Sequence, residues 1–152
     1  MNILIVFDSE SGNTKKVVGQ VKTQLEEENY SVKVKHALTA TEFDITDSDL
    51  LIIGTPVHGW ILLNQKPTKT VRKFLKKEIP DSLQGKPVIG FCTYLFFPAS
   101  TLKKIGKVIE HKNGKILDLL AERRNNKTKL VTAIVNVAKK EFTNYRNNSA
   151  DF

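Results

Sequence analysis

Hydroxyl and amide side chains are concentrated in one stretch near the start of the chain, Ser9-Glu10-Ser11-Gly12-Asn13-Thr14. The stretch lies between an apolar run typical of a buried strand and an amphipathic run typical of a helix. A helix N-terminus offers unpaired backbone N–H groups and the positive end of the helix dipole, and a glycine lets the backbone approach a ligand closely. A capped helix start needs only one such polar residue. The stretch therefore predicts a binding cup for an anion such as a phosphate monoester.

Two other phosphate-binding fingerprints are missing from the sequence. No Gly-x-x-x-x-Gly-Lys-Ser/Thr motif is present, which disfavours a nucleoside triphosphatase. Gly-x-Gly-x-x-Gly is also missing, which argues against a dinucleotide site. His36, His58 and His111 are far apart in sequence, so they predict no histidine metal cluster.

Apolar runs of strand length alternate with helix-like stretches along the chain. The predicted strands are Asn2–Phe7, Ser31–His36, Leu50–Ile53, Val88–Tyr94 and Lys115–Leu120. The predicted helices are Asn13–Glu28, a helix opened by Pro67 with Val71, Phe74 and Leu75 inward, Pro98–Lys112 ending at Asn113-Gly114, and Leu130–Tyr145. We expect Leu38–Asp47 to be irregular and Arg146–Phe152 to be a frayed tail.

This alternation predicts an α/β fold in a single domain, residues 1–152. Strand–helix–strand units favour a five-stranded parallel sheet inside a doubly wound, three-layer αβα sandwich. Ligands of such sheets bind at the carboxyl ends of the strands, beside the point where the strand order reverses. The loops after Phe7, Ile53 and Tyr94 are therefore the candidate site.

The loop after the first strand resembles the phosphate-binding loop of the flavodoxin family, whose motif reads Ser/Thr-x-Thr/Ser-Gly-Asn-Thr. The resemblance extends to the order of elements along essentially the whole chain. It implies a flavodoxin-like fold with strand order 2-1-3-4-5 and non-covalently bound FMN. It also implies that Ser9, Ser11, Asn13 and Thr14 hold the FMN phosphate.

The other two loops would flank the flavin ring in such a protein. After the third strand, Trp60 is a candidate to cover one ring face, Gly59 to permit a peptide flip and Thr55 to lie near the ribityl chain or the pyrimidine edge. The alternative for Trp60 is a core or interface residue. His58 is interpreted as a polar loop residue, with a role in proton transfer as the alternative. The resemblance implies a cofactor site formed by Ser9, Glu10, Ser11, Gly12, Asn13, Thr14, Thr55, Pro56, Val57, His58, Gly59, Trp60, Thr93, Tyr94 and Leu95.

The loop after the fourth strand departs from the acidic, glycine-rich loop of typical flavodoxins. Tyr94 is the natural stacking candidate here, and the pair Phe96-Phe97 either packs over the cofactor or is exposed to a partner or a hydrophobic substrate. Packing is the favoured alternative. Cys92 is interpreted as a small buried hydrophobic residue.

The chain is basic, with 24 Lys and Arg against 16 Asp and Glu and a net charge of +8. Residues 77–152 hold 14 basic and 7 acidic side chains, so the excess lies in the second half. The charge reflects lysine-rich solvated helices, an acidic partner or nucleic acid. For a flavoprotein, a positive field favours the anionic reduced flavin, so we expect a less negative reduction potential than in acidic flavodoxins, and a redox partner with an acidic docking surface.

Composition excludes several other classes. The single cysteine, Cys92, excludes an internal disulfide, a zinc finger and a cysteine-ligated iron–sulfur cluster. No apolar run approaches the ~20 residues of a membrane-spanning helix. Met1 leads directly into the first strand, without the basic segment or small-residue cleavage site of a signal peptide, which predicts a cytoplasmic protein.

Three functions are consistent with these features. The leading hypothesis is an FMN-binding electron carrier between redox enzymes, with the flavin supplying the chemistry. The second is a flavodoxin-like FMN-dependent oxidoreductase of the quinone or protoporphyrinogen type. The third is a flavin-free module that binds nucleic acid or protein, which the charge permits although no nucleic-acid motif is present.

Overall fold

Strands and helices alternate in the computed structural model, which describes residues 1–60, 63–96, 98, 100–124 and 127–150. The side chains of 58–60, 63–64 and 148–150 lie outside this description. In chain order, the elements are β1 (Asn2–Phe7), α1 (Asn13–Glu27), β2 (Ser31–His36), α2 (Glu42–Thr46), β3 (Leu50–Pro56), β4 (His58–Trp60), β5 (Leu63–Lys66), α3 (Lys69–Lys77), β6 (Pro87–Tyr94), α4 (Ser100–His111), β7 (Lys115–Arg123) and α5 (Lys127–Ala150).

Five of the strands form one parallel sheet in the order β2-β1-β3-β6-β7. Numbered within this sheet alone, the order is 2-1-3-4-5, and the predicted topology is confirmed. The strand order reverses at β1, which lies between β2 and β3. Consequently the carboxyl ends of β1, β3 and β6 meet at one edge, beside the switch point.

Apolar side chains on both faces of the sheet give the fold two hydrophobic cores. On one face, Ile3 and Ile5 of β1 pack with residues of α1 and α5. On the other face, Leu4 and Val6 pack with residues of α3 and α4. This alternation along β1 explains why the strand is almost wholly apolar, and it confirms the three-layer arrangement.

Several element boundaries differ from the sequence-based expectation. The segment 38–47 is not irregular throughout, because Thr41 and Asp44 form a reciprocal capping box that begins the short helix α2. The sheet strand β3 continues through Pro56, and an antiparallel pair, β4 and β5, follows where a loop was expected. Helix α3 begins at Lys69 with Thr68 as its N-cap, rather than at Pro67.

The last helix is longer than expected. It begins at Lys127 and continues to Ala150, so residues 146–150 are helical rather than a frayed tail, and residues 151–152 lie outside the description. The end of α4 follows the prediction: Asn113 has φ 56° and the Gly114 N–H donates to the Ile109 carbonyl at 2.9 Å. No helix in the described ranges is long and apolar enough to cross a membrane.

Gly54 of β3 leaves room for the ring of Phe91, its partner on β6, below the candidate site. A Cβ at this position would lie inside van der Waals contact with the Phe91 ring, which is itself fully buried. We expect Gly54→Ala to lower the free energy of unfolding by about 1–3 kcal/mol, because a packed core accommodates an added methyl group poorly. Urea denaturation monitored by circular dichroism measures this change.

Gly19 provides the matched control, because a Cβ there meets nothing within 4 Å and the residue lies on the exposed side of α1. Gly19→Ala should raise the free energy of unfolding by about 0.5–1 kcal/mol through helix propensity. Equal effects of the two substitutions would contradict the packing role given to Gly54.

Candidate functional site

The loop between β1 and α1 lies at the switch-point edge of the sheet and ends in a glycine cap. Gly12 is the N-cap of α1 with φ 77°, a left-handed conformation that favours glycine, and it has no side chain with which to cap the helix. No atom lies within 4 Å of the position that a Cβ would occupy there. The start of α1 thus keeps open space in front of its first backbone N–H groups, as an anion site requires.

The two serines of this loop are held by hydrogen bonds that leave their own protons available. Ser9 Oγ accepts from the Lys15 N–H at 3.2 Å, and Ser11 Oγ accepts from Asn13 Nδ2 at 2.9 Å. A hydroxyl that accepts one bond can still donate its O–H. Both serines can therefore donate to an anion placed at the helix start.

Thr14 occupies a different position from the serines. Its hydroxyl is buried and lies 3.0 Å from the hydroxyl of Thr93, at the end of β6. This contact joins the start of α1 to the third candidate loop. The structure thus brings together two residues, Thr14 and Thr93, that the sequence placed in separate parts of the site.

A buried carboxylate, which the sequence analysis did not single out, lies at the base of the loop. Asp8 is 8% exposed and accepts hydrogen bonds from the Ser9 N–H at 2.8 Å and from His36 Nε2 at 3.0 Å. The Leu38 N–H donates to His36 Nδ1 at 3.3 Å, so Nε2 carries the proton that His36 shares with Asp8. The signal that could have found this contact is the position of Asp8 and His36 at the ends of two neighbouring strands. Phe7 and His36 pair across β1 and β2, which places residues at these two strand ends side by side.

The hydrogen bonds around Asp8 determine its charge. Burial by itself would raise the pKa of the Asp8 carboxyl, but hydrogen bonds from Thr68, Ser9 and His36 outweigh burial and hold the pKa below its ordinary value. Asp8 is therefore ionised at neutral pH. Since its partners come from β2, from the loop between β1 and α1 and from the N-cap of α3, the charge connects three elements.

The second candidate loop begins inside the sheet. Thr55 is fully buried in β3, where its hydroxyl donates to the Pro56 carbonyl at 2.9 Å and accepts from the Thr68 N–H at 3.2 Å. The Val57 N–H donates to the Thr93 carbonyl at 2.9 Å, which joins this loop to the end of β6. Residues His58, Gly59 and Trp60 form β4, and their side chains, including any ring contact of Trp60, lie outside the described residues.

The third candidate loop is apolar and open to solvent. Leu95 is 53% exposed and Phe96 is 48% exposed, whereas Tyr94 is half-buried. The protein itself leaves Phe96 about half exposed, so packing of this residue over the cofactor stays a prediction; Phe97 lies outside the described residues. Cys92 is buried, as expected, and burial raises the pKa of its thiol to about 12.

A cation that the sequence analysis passed over lies beside this loop. The Arg124 N–H donates to the Tyr94 carbonyl at 2.9 Å, which places Arg124 next to the end of β6. Its Nε is buried and has no hydrogen-bond partner among the described residues. Among all the residues that the structure describes, no group of three or more His, Cys, Asp or Glu side chains is placed to hold a metal ion.

The fold is an αβα sandwich, and the glycine-capped loop is a candidate anion site at its switch point. A family model described as a flavodoxin domain matches residues 4–133. The chain therefore belongs to the flavodoxin domain family. No curated protein sequence matches it significantly.

Solved structures agree with this assignment of the fold. A flavodoxin of Streptococcus pneumoniae TIGR4 is 17% identical with a TM-score of 0.78, over 91% of this chain and 96% of that one. Oxidised flavodoxin 2 from Bacillus cereus is 14% identical with a TM-score of 0.76, over 93% and 99% of the two chains. A Thermotoga maritima flavo-diiron protein is 21% identical with a TM-score of 0.71, but this chain spans only 35% of it.

Asp8→Asn tests the network at the base of the site. The amide keeps the shape of the side chain but faces hydrogen-bond donors with an NH₂ group, so we expect the free energy of unfolding at pH 7 to fall by about 1–3 kcal/mol. The folded-state pKa of Asp8 is depressed, so its stabilisation is present above the unfolded value of about 3.9 and is lost as the pH falls through the folded value. The difference between parent and variant should therefore shrink below about pH 4.

Urea denaturation between neutral and acidic pH measures this difference. Asp47→Asn, at an exposed position after α2, is the control, and we expect it to change the stability by less than about 0.5 kcal/mol at every pH. A difference between the parent and Asp8→Asn that stayed constant down to about pH 2 would show that the charge of Asp8 is not the stabilising feature.

Proposed function

We propose that this chain binds FMN and transfers electrons between redox proteins. The observation that carries the proposal is the start of α1, where the left-handed Gly12 contributes no capping side chain, and where Ser9, which accepts from the Lys15 N–H, and Ser11 both keep O–H donors available. Membership in the flavodoxin domain family supports the same cofactor. When bound, FMN supplies one- and two-electron redox chemistry.

The donor set fits a phosphate monoester. Neutral hydroxyls and a helix N-terminus can bind a phosphate without a lysine in the loop. The nearby Asp8 carboxylate is compatible with this anion because its Oδ1 already accepts from the Ser9 N–H and from His36 Nε2, which offset part of its charge within the protein. In this proposal Ser9, Ser11, Asn13 and Thr14 hold the phosphate, and Thr14 also fixes the loop against Thr93.

The remaining residues of the proposed site would orient the cofactor and shield it from water. They come from the loop after β1, from the end of β3 with β4, and from the end of β6. The set beyond the phosphate ligands is Glu10, Gly12, Thr55, Pro56, Val57, His58, Gly59, Trp60, Thr93, Tyr94 and Leu95.

A second candidate function is supported by the exposed apolar loop. Leu95 and Phe96 next to the proposed cofactor site favour contact with an apolar surface or substrate. An FMN-dependent oxidoreductase of the quinone or protoporphyrinogen type would use such a surface. Sustained turnover with a soluble quinone and an electron donor, in the absence of any partner protein, would favour this enzyme over a carrier.

Removal of the two serine hydroxyls tests the phosphate cup. We expect Ser9→Ala with Ser11→Ala to raise the Kd for FMN by about tenfold or more per hydroxyl, because each removes a hydrogen bond to a charged group. Titration of the apoprotein by flavin fluorescence measures the Kd. Riboflavin, which lacks the phosphate, should bind the parent and this variant with similar Kd values.

Ser31→Ala, at an exposed position at the start of β2 on the opposite edge of the sheet, is the control and should leave the Kd for FMN unchanged. Equal affinities of the parent protein for FMN and riboflavin would refute the phosphate cup. A colourless protein that binds neither flavin would favour a flavin-free binding module instead.

The reduction potential tests the electrostatic part of the proposal. A positive side chain beside the site stabilises the additional negative charge of reduced flavin. We therefore expect Arg124→Gln to make the potential of bound FMN more negative, as measured by spectroelectrochemical titration. Lys140→Gln, at an exposed position on α5, should change it far less because charges more than ~8–10 Å apart are screened. An unchanged potential in the Arg124 variant would show that the charge of this arginine does not act on the flavin.

A further inference from the structure

Two helices that share one face of the sheet carry a net charge nearly equal to the net +8 of the whole chain. Helix α3 holds five Lys and Arg and no acidic residue, while α4 holds three Lys and one Glu, so together they carry +7. Phe74 of α3 and Ile105 of α4 pack in the same hydrophobic core. The two helices therefore lie side by side, and their outer faces form one basic surface.

A groove of about 740 Å³ lies between these helices and is called the α3–α4 groove below. Its apolar lining includes Pro67, Leu75 and Val108. Every other lining residue is a lysine, an arginine or a histidine, and none of the described lining residues is acidic. An exposed apolar surface with a charged rim is a candidate interaction site.

Three of the bordering cations are available to a partner. Within the described ranges, Lys112 pairs with Asp81 at 2.7 Å and Lys104 donates to the Gln65 carbonyl at 2.8 Å. Arg72, Lys76 and Lys107 are exposed, and in the same ranges no acidic side chain lies within ion-pair distance of them. Their charges border both sides of the groove, because Arg72 and Lys76 belong to α3 and Lys107 to α4.

We propose that the α3–α4 groove binds an acidic, amphipathic segment of a partner protein. Apolar side chains of that segment would enter the groove against Leu75 and Val108, and its carboxylates would pair with Arg72, Lys76 and Lys107. A helix with apolar residues at i, i+3, i+4 and i+7 and with acidic residues on either side has this pattern. The pairing of an apolar centre with a charged rim is the usual anatomy of a protein interface.

The shape of the groove distinguishes this partner from other polyanions. A planar membrane surface cannot reach an apolar lining that lies between two helices. A nucleic-acid backbone presents phosphates and sugars, which gain nothing from contact with Leu75 and Val108. A peptide segment matches both the apolar lining and the cationic border.

One lining residue of the groove is close in the chain to the candidate site. Pro67 lines the groove and is followed by Thr68, the residue that caps α3 and bonds to Asp8. A segment in the groove would therefore lie beside the candidate site. The identification of the partner as a redox protein rests on the proposed function. The docking of an acidic segment does not depend on that function.

Direct binding of a peptide tests the docking. The probe is a fluorescently labelled helical peptide of Leu and Glu with Leu at i, i+3, i+4 and i+7, titrated with the full chain and monitored by fluorescence anisotropy. We expect Lys76→Glu with Lys107→Glu to raise the Kd by about tenfold or more. Lys129→Glu with Lys140→Glu, at exposed positions on α5 on the opposite face, makes the same change in net charge and should alter the Kd by less than about threefold at about 0.15 M salt.

Val108→Thr separates the apolar contact from the charges, because the two side chains are nearly isosteric. We expect a severalfold higher Kd for the peptide with an unchanged salt dependence. Thermal melts of all variants check that each is folded; the four lysines and Val108 all have solvent-accessible side chains.

Three results would overturn the proposal: no binding of the peptide by the parent protein, equal loss of binding in both double lysine variants, or tighter binding of phosphatidylserine vesicles or duplex DNA that depends on Lys76 and Lys107. FMN content, measured by absorbance in the same samples, is independent of these results. A protein that binds the peptide but not FMN would refute the proposed function and leave the groove assignment intact.

Discussion

Parallel pairing of β1 with β2 on one side and with β3 on the other is the constraint on which the rest of the structure depends. Because all the sheet strands run in the same direction, their carboxyl ends open at one edge, and the reversal of strand order at β1 leaves space there. Both faces of β1 are buried, with Ile3 and Ile5 in one core and Leu4 and Val6 in the other, so the strand is packed against both layers of helices. The position of the loop between β1 and α1 follows directly from the position of β1.

The sheet and its order could be read from the sequence because burial on both faces leaves a continuous apolar signal in β1, β3 and β6. The missed elements have no such signal. Helix α2 is only five residues long and exposes Phe43, so it depends on the Thr41–Asp44 capping box rather than on an apolar stripe. The β4–β5 pair is held by local antiparallel bonds, and α5 extends past Tyr145 through polar residues that carry no helical periodicity.

The candidate site likewise contains residues that the sequence predicted and residues that it missed. Its loop residues were found because hydroxyls and a glycine at a strand–helix junction have a recognisable pattern. Asp8 and His36 were missed because their relation is created by the pairing of β1 with β2, and sequence alone does not bring residues 28 positions apart into contact. Thr68 likewise acquires its role only when α3 is placed beside β3. A polar residue directly after an apolar strand, as Asp8 is, is a candidate site residue even when no motif includes it.

The Gln65 carbonyl of β5 accepts hydrogen bonds from both Ser100 and Lys104 of α4. This contact ties the antiparallel β4–β5 pair, which carries His58 to Trp60, to a helix that borders the groove. Any occupant that draws the Lys104 ammonium toward itself removes a restraint on the β4–β5 pair. Thermodynamic linkage then requires reciprocity: a change in the conformation of this pair alters the affinity of the groove by the same factor as the occupant alters the conformational equilibrium.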